Sequence, residues 1–177
     1  MAYIEILKYP DPFLKTVSAP VEKVDAEVKK LISDMIDTMY GARGIGLAAV
    51  QVGVARRVIV LDVPGDDEER GGRRGNLIAL VNPVITSKEG TMVYEEGCLS
   101  VPGYTADVTR AEWVAVKALN GEGEPIELTA EGLPAIAIQH EIDHLDGTLF
   151  IDRISRLKRE LIKRKIKKAL EAQEYAL

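Results

Sequence analysis

The sequence is short of the residues that reactive sites and exported folds draw on, with 2 His, 1 Cys, 1 Trp and 2 Phe among 177 residues. A single cysteine cannot form an internal disulfide, which excludes the small secreted scaffolds held together by such bridges. No uninterrupted apolar stretch reaches the roughly 20 residues needed to span a bilayer. No basic start runs into an apolar segment as an export signal does. The cytoplasm is therefore the expected location, and no membrane is expected as a partner. Aromatic residues make up only 5%, while 46% hydrophobic and 29% charged content describe an ordinary globular protein. The length suits one domain over residues 1–177, large enough to bury a core without staples.

The net charge of −5 argues against general affinity for nucleic acid. Its distribution is uneven. From Arg153 to Leu170 nine basic residues stand against one acid, Glu160, so that segment carries +8 and the remainder −13. Residues 153–177 thus read as a basic helical tail, with Ile154, Leu157, Leu161, Ile162, Ile166 and Leu170 as an apolar stripe. A helix packed on the body with a solvated outer face accounts for this pattern. So does a basic contact surface.

Ile4–Leu7 reads as a short extended start, broken by Pro10 and Pro12 and followed by a loop. Over Asp25–Tyr40, apolar Val28, Leu31, Ile32, Met35, Ile36 and Met39 keep the spacing of an amphipathic helix, with Gly41 placed to stop it. Strand signals cover Val58–Leu61, Leu77–Pro83, Trp113–Ala118 and Ile126–Leu128. The charged, glycine-rich stretch from Pro64 to Gly75 is expected to be a mobile surface loop. Asn120-Gly121 marks a turn between strands. A second helix is expected from about Gly132 to His144, with Ile136 and Ile138 flanking its buried side.

Both histidines fall in that helix, in Gln139-His140-Glu141-Ile142-Asp143-His144. Positions four apart lie one above the other on a helix face, so His140 and His144 can aim both rings at one point, with Glu141 beside them. In a His-Glu-x-x-His arrangement two neutral imidazoles hold a metal ion and the carboxylate takes protons from water next to it. Hydrolytic sites take a third protein ligand. With no further histidine, the candidates are a carboxylate or the lone thiol Cys98, which as a thiolate is a good ligand and as a buried thiol is merely a small hydrophobe. Gln51, the one amide in the small, apolar run from Gly44 to Gly53, either donates to a substrate oxygen or satisfies buried backbone. The glycines there follow a helix and precede a strand, the reverse of a dinucleotide-binding turn.

Gly44-Ile45-Gly46-Leu47-Ala48-Ala49-Val50-Gln51, Glu96-Gly97-Cys98-Leu99-Ser100 and Gln139-His140-Glu141-Ile142-Asp143-His144 resemble, in order, the three signature motifs of the peptide deformylases. The likeness runs from Tyr9-Pro10-Asp11 to the helix after Phe150. It implies an α+β fold in which antiparallel β-sheets surround a central metal-binding helix, with an N-terminal and a C-terminal helix. It implies a hydrolase that removes the formyl group from nascent chains beginning with N-formylmethionine and releases formate. By that resemblance Cys98, His140 and His144 hold one divalent metal ion per chain, Glu141 is the general acid/base, and Gln51 with the Leu99 N–H stabilises the oxyanion. Gly46 and neighbouring main chain, Gly97 included, would pair with the substrate backbone, and Ile45, Glu96, Ile136 and Ala137 would line the methionine pocket. Glu96 has a second reading, as an ion-pair partner of Arg110.

The family is associated with ferrous iron, and zinc, nickel or cobalt can take the same ligands. The resemblance also suggests that the basic tail contacts ribosomal RNA. The chain departs from many relatives at Ala137, often Cys, and at Asp146, often apolar. A zinc endopeptidase of the ordinary His-Glu-x-x-His kind would need a third His, which the chain lacks, or a downstream Glu as ligand. A non-catalytic ribosome-associated module would have no use for the intact catalytic set.

Overall fold

The computed structural model describes residues 2–64 and 76–175, the side chains of the last two excepted. Apart from Pro64, the expected loop over Pro64–Gly75 lies outside the described residues. The amino-terminal segment does not form a strand. It is tied down by single backbone bonds, Leu7 N–H to Gln51 O at 2.7 Å and Tyr9 N–H to Ser100 O at 2.7 Å, before a 3-10 turn over Pro12–Lys15.

Helix α1 spans Ala26–Gly41, and Asp25 caps it by accepting from the Val28 N–H at 3.0 Å. Such a cap contributes about 0.5–2 kcal/mol. Val28, Ile32, Met35 and Met39 are buried along one face, as their spacing requires. Gly41 is not the stop signal. It is the last helical residue, and the chain turns away after Ala42 through Arg43, whose φ of 60° is left-handed.

Seven strands follow: β1 Gly46–Ala48, β2 Val58–Leu61, β3 Ile78–Glu89, β4 Met92–Cys98, β5 Val101–Arg110, β6 Trp113–Leu119 and β7 Pro125–Glu131. Five form one antiparallel sheet in the order β1-β2-β3-β6-β7, and β4 pairs with β5 as a separate antiparallel ribbon. The only parallel pairing among the described residues is an isolated bridge from Ala19 to Arg56.

Two features differ from the expectation. β3 does not end at Pro83, because a register shift between Val81 and Val84 absorbs the residue that cannot donate to the ladder. Asn82, at φ 52°, holds the bulge by bonding the N–H and C=O of Val21, each at 2.8 Å. The other is the β4–β5 ribbon, for which no strand signal was read. Glu95, Glu96 and Gly97 in β4 and Pro102 and Gly103 in β5 obscure the alternation.

Helix α2, Leu133–Leu145, is entered through Gly132 at φ 68°, with a proline in its first turn where the missing N–H costs nothing. It packs between β1, β2 and β7. Every residue from Ala135 to Leu145 is buried, so Ile136 and Ile138 do not mark one inner side: the whole circumference is inside. Helix α3, Arg156–Tyr175, follows a 3-10 turn over Phe150–Arg153. Its apolar stripe splits. Ile166 is buried with Val101, Val108, Leu149, Phe150 and Ile151, and Ile154 and Ile162 pack beside it, whereas Leu157, Leu161 and Leu170 are exposed.

Candidate metal centre

Three separate pieces of chain bring the site together. α2 carries His140, Glu141 and His144, the end of β4 carries Cys98, and the 3-10 turn Ala49–Val52 after β1 carries Gln51. The register of β4 on β5 slips between Gly97 and Cys98, which turns the thiol out of the ribbon and toward the helix. Sγ lies 3.3 Å from His144 Nε2. Donor atoms of Cys98, His140 and His144 all lie within 4.8 Å of one another, the only such group of three among the described residues. Two donors on one tetrahedral zinc, at sulfur and nitrogen bond lengths, would stand about 3.6 Å apart. A small compression or expansion of this cluster therefore suits a divalent cation.

The imidazoles are prepared differently. His140 turns Nδ1 to Glu96 Oε1 at 2.8 Å, which leaves Nε2 toward the thiol. A carboxylate on the far nitrogen fixes the tautomer and the ring plane of a ligating histidine. Burial works against a charged His140, but the hydrogen bonds with Cys98 and Glu96 and the charge of Glu141 outweigh it and raise its pKa well above the ordinary value. His144 is fully buried; burial, with His140 and Arg110 nearby, pushes its pKa well down and keeps the ring neutral. Its Nδ1 has no hydrogen-bond partner among the described residues.

Glu96 takes the ion-pair position expected of its second reading and also faces the cleft. It lines the cleft and it is buried against Arg110, with Nε to Oε2 at 2.6 Å and Nη2 to Oε1 at 2.9 Å. Burial alone would raise its pKa, but His140 and Arg110 overcome that and lower it. Glu141 differs. It is buried, its Oε2 has no hydrogen-bond partner among the described residues, and burial pushes its pKa up to about 7. A cation bound next to it would draw that value down again. Gly46 explains how the carboxylate fits, since a Cβ there would stand 2.7 Å from Glu141 Oε1 and 2.9 Å from Leu61.

Gln51 is fixed by Oε1, which accepts from the Ala48 N–H at 2.9 Å, and by Nε2, which donates to Ser100 Oγ at 3.0 Å. The second Nε2 proton faces Cys98 Sγ at a long 3.6 Å and is the one free to turn to another acceptor. Gln51 thus satisfies backbone, as one reading expected, and also places an N–H donor in the cleft. Ser100, which steers this amide and whose own N–H reaches the thiol at 3.4 Å, was not singled out from sequence. Its place two residues after Cys98 was the available signal.

A cleft of about 450 Å³ opens over this cluster. Ile45, Gly46, Gln51, Glu96, Gly97, Cys98, Leu99, Ile136, Ala137, His140 and Glu141 all line it, so every expected site residue is here except His144, which lies buried behind. Arg43, Tyr94, Tyr104 and Leu133 also line it. No sequence pattern marks them: Arg43 sits in an irregular turn at φ 60°, and the two tyrosines lie on the β4–β5 ribbon, whose alternation is interrupted. No helix among the described residues is long and apolar enough to cross a membrane.

Residues 3–160 match the family model described as polypeptide deformylase. The peptide deformylase of Alkalilimnicola ehrlichii is 52% identical over 168 residues, covering 95% of this chain and 91% of that protein. The crystal structure of a peptide deformylase from Legionella pneumophila superposes with a TM-score of 0.86 at 49% identity, covering 98% of each chain. The peptide deformylase of Ehrlichia chaffeensis in complex with actinonin superposes with a TM-score of 0.87 at 40% identity, covering 96% of this chain and 98% of that one.

Proposed function

The chain belongs to the polypeptide deformylase family, and from that premise we propose which of its atoms carry the reaction. It is a metal-dependent hydrolase that removes the N-formyl group from newly made polypeptides beginning with formylmethionine, releasing formate. Neither an endopeptidase nor a non-catalytic module is favoured by such relatives. We infer that Cys98, His140 and His144 hold the cation. The observation that carries this is the convergence of their donor atoms within 4.8 Å beside the buried carboxylate of Glu141.

When bound, a divalent cation at these donors supplies Lewis acidity, lowering the pKa of water and polarising a carbonyl oxygen. The remaining work falls to the chain. Glu141, with one carboxylate oxygen unpartnered, takes the proton from the attacking water and returns it to the leaving amine. Gln51 Nε2 and the Leu99 N–H donate to the oxyanion, a type of contact worth about 2.7–4 kcal/mol of barrier per donor. Gly46 and Gly97 lend main chain to the peptide as it lies along the edge of β1. Ile45, Glu96, Ile136 and Ala137 bound the methionine pocket, Ile136 and Ala137 as its buried wall.

We assign ferrous iron as the cellular ion, with zinc, nickel or cobalt able to take the same donors, since a thiolate with two imidazoles suits each. Metal analysis of protein purified without air tests that assignment. The setting is the cytoplasm, where formylated chains emerge, and residues 153–177 form the tail of a single domain. We further propose that this tail contacts ribosomal RNA, because Leu157, Leu161 and Leu170 stay exposed among its Lys and Arg side chains. Cosedimentation with ribosomes should weaken steeply with salt and with Arg164→Glu, Lys165→Glu and Lys168→Glu combined; unchanged binding removes the contact.

The reaction itself is tested by formate release from formyl-Met-Ala-Ser, with unformylated Met-Ala-Ser as control. Cleavage of the peptide bonds in either peptide, without formate, would overturn the assignment.

A further inference from the structure

Behind His140 the polar contacts do not stop at Glu96. Arg110, almost completely buried, forks Nε and Nη2 onto Glu96 and sends Nη1 to Asp143 Oδ2 at 2.8 Å. Asp143 in turn is gripped by Arg153, Nη2 to Oδ1 at 2.8 Å and Nε to Oδ2 at 3.1 Å. The result is one continuous line, His140–Glu96–Arg110–Asp143–Arg153, running from a metal-ligand ring to the last residue of the 3-10 turn before α3. Two carboxylates meet two guanidiniums along it. The side chain of Arg153 is 51% exposed, whereas those of Arg110 and Glu96 are 4% exposed and cannot recruit water in its place.

We propose that Arg153 is a positioning residue for the deformylation site, acting on His140 through Asp143, Arg110 and Glu96. With Arg153 in place, Asp143 draws a full positive charge from outside and leaves the Arg110 fork to Glu96. Without it, one buried guanidinium must serve two carboxylates. Arg110 then shifts toward Asp143, and the acceptor that fixes His140 Nδ1 loosens. Losing a direct outer partner of a ligand costs roughly 10- to 100-fold in metal affinity or activity, and Arg153 stands three links further out than Glu96.

The proposal rests on the reading of His140 as a ligand, and the test separates the two. Cobalt(II) is loaded into wild-type protein, Arg153→Met and Arg153→Lys, and the visible bands, the rate of cobalt loss to excess chelator, kcat and KM are measured. For Arg153→Met the bands shift, cobalt loss quickens by about three- to tenfold and kcat falls by a similar factor at unchanged KM, a reduced version of the outer-partner effect. Arg153→Lys keeps the charge but not the two-pronged grip, and it recovers part of each change. Bands and loss rate equal to wild type in Arg153→Met overturn the proposal, whatever the melting temperature does. A wild-type protein that takes up no cobalt overturns the ligand reading and this proposal with it.

Discussion

Helices α2 and α3 carry polar residues for opposite reasons. In α2 the polar side chains Gln139, His140, Glu141, Asp143 and His144 are all buried, and nearly every one has a defined neighbour. Gln139 alone bonds the N–H and C=O of Ala111 at 3.1 and 2.8 Å and the Ala135 carbonyl at 3.1 Å. In α3 most charged residues face water, with Arg159 and Lys163 half-buried, and among its described side chains only Ile166 is buried. A buried polar group costs free energy unless it is satisfied, so its identity is constrained, whereas a solvated one contributes little and tolerates change. The two unpartnered buried atoms of α2, Glu141 Oε2 and His144 Nδ1, are therefore its most informative exceptions.

The contrast is sharpest at Glu141. Glu141→Gln keeps the shape and removes the base, so formate release should fall by about 10²–10⁴-fold while metal content, read by elemental analysis, is retained. Turnover near that of the unaltered protein would end its role as base. Arg110→Met strands Glu96 and Asp143 as buried, under-compensated charges, and denaturant unfolding should show a loss of about 3–5 kcal/mol. Gly46→Ala forces a methyl against Glu141 and Leu61; overpacking of this kind costs about 1–3 kcal/mol, with a parallel drop in kcat. At the far end, Leu157→Ser on α3, at a side chain 72% exposed, should move stability by no more than about 0.5 kcal/mol. A loss larger than that of Gly46→Ala would show that α3 is not the solvated element described here.

What could be read from residues alone follows the same division. The helical spacing of His140 and His144 and the period of α1 are local facts, so they were visible. The convergence of a third donor on them was not, because Cys98 comes within reach of His144 at the slip in register after Gly97, which depends on β5 pairing with β4. β4 and β5 themselves were hidden, since their glycines, glutamates and proline interrupt the pattern while serving the cleft. The resemblance to a family supplied the role of Cys98; the residues by themselves had left it between ligand and filler. Arg153 was counted among tail charges, and no sequence rule distinguishes the one that turns inward to Asp143.

β1 is three residues long and lies at the border of its sheet. At about 3.3 Å per residue it measures near 10 Å, and the Ala48 N–H is already given to Gln51 Oε1, so on the proposed reading its outer margin pairs with only the first one or two units of a peptide. Main-chain zippering is blind to side-chain identity, so past the opening pocket a guest is gripped without being spelled out. On the proposed reading, such a short rail would let the rest of a growing chain trail into water, whatever its length or composition.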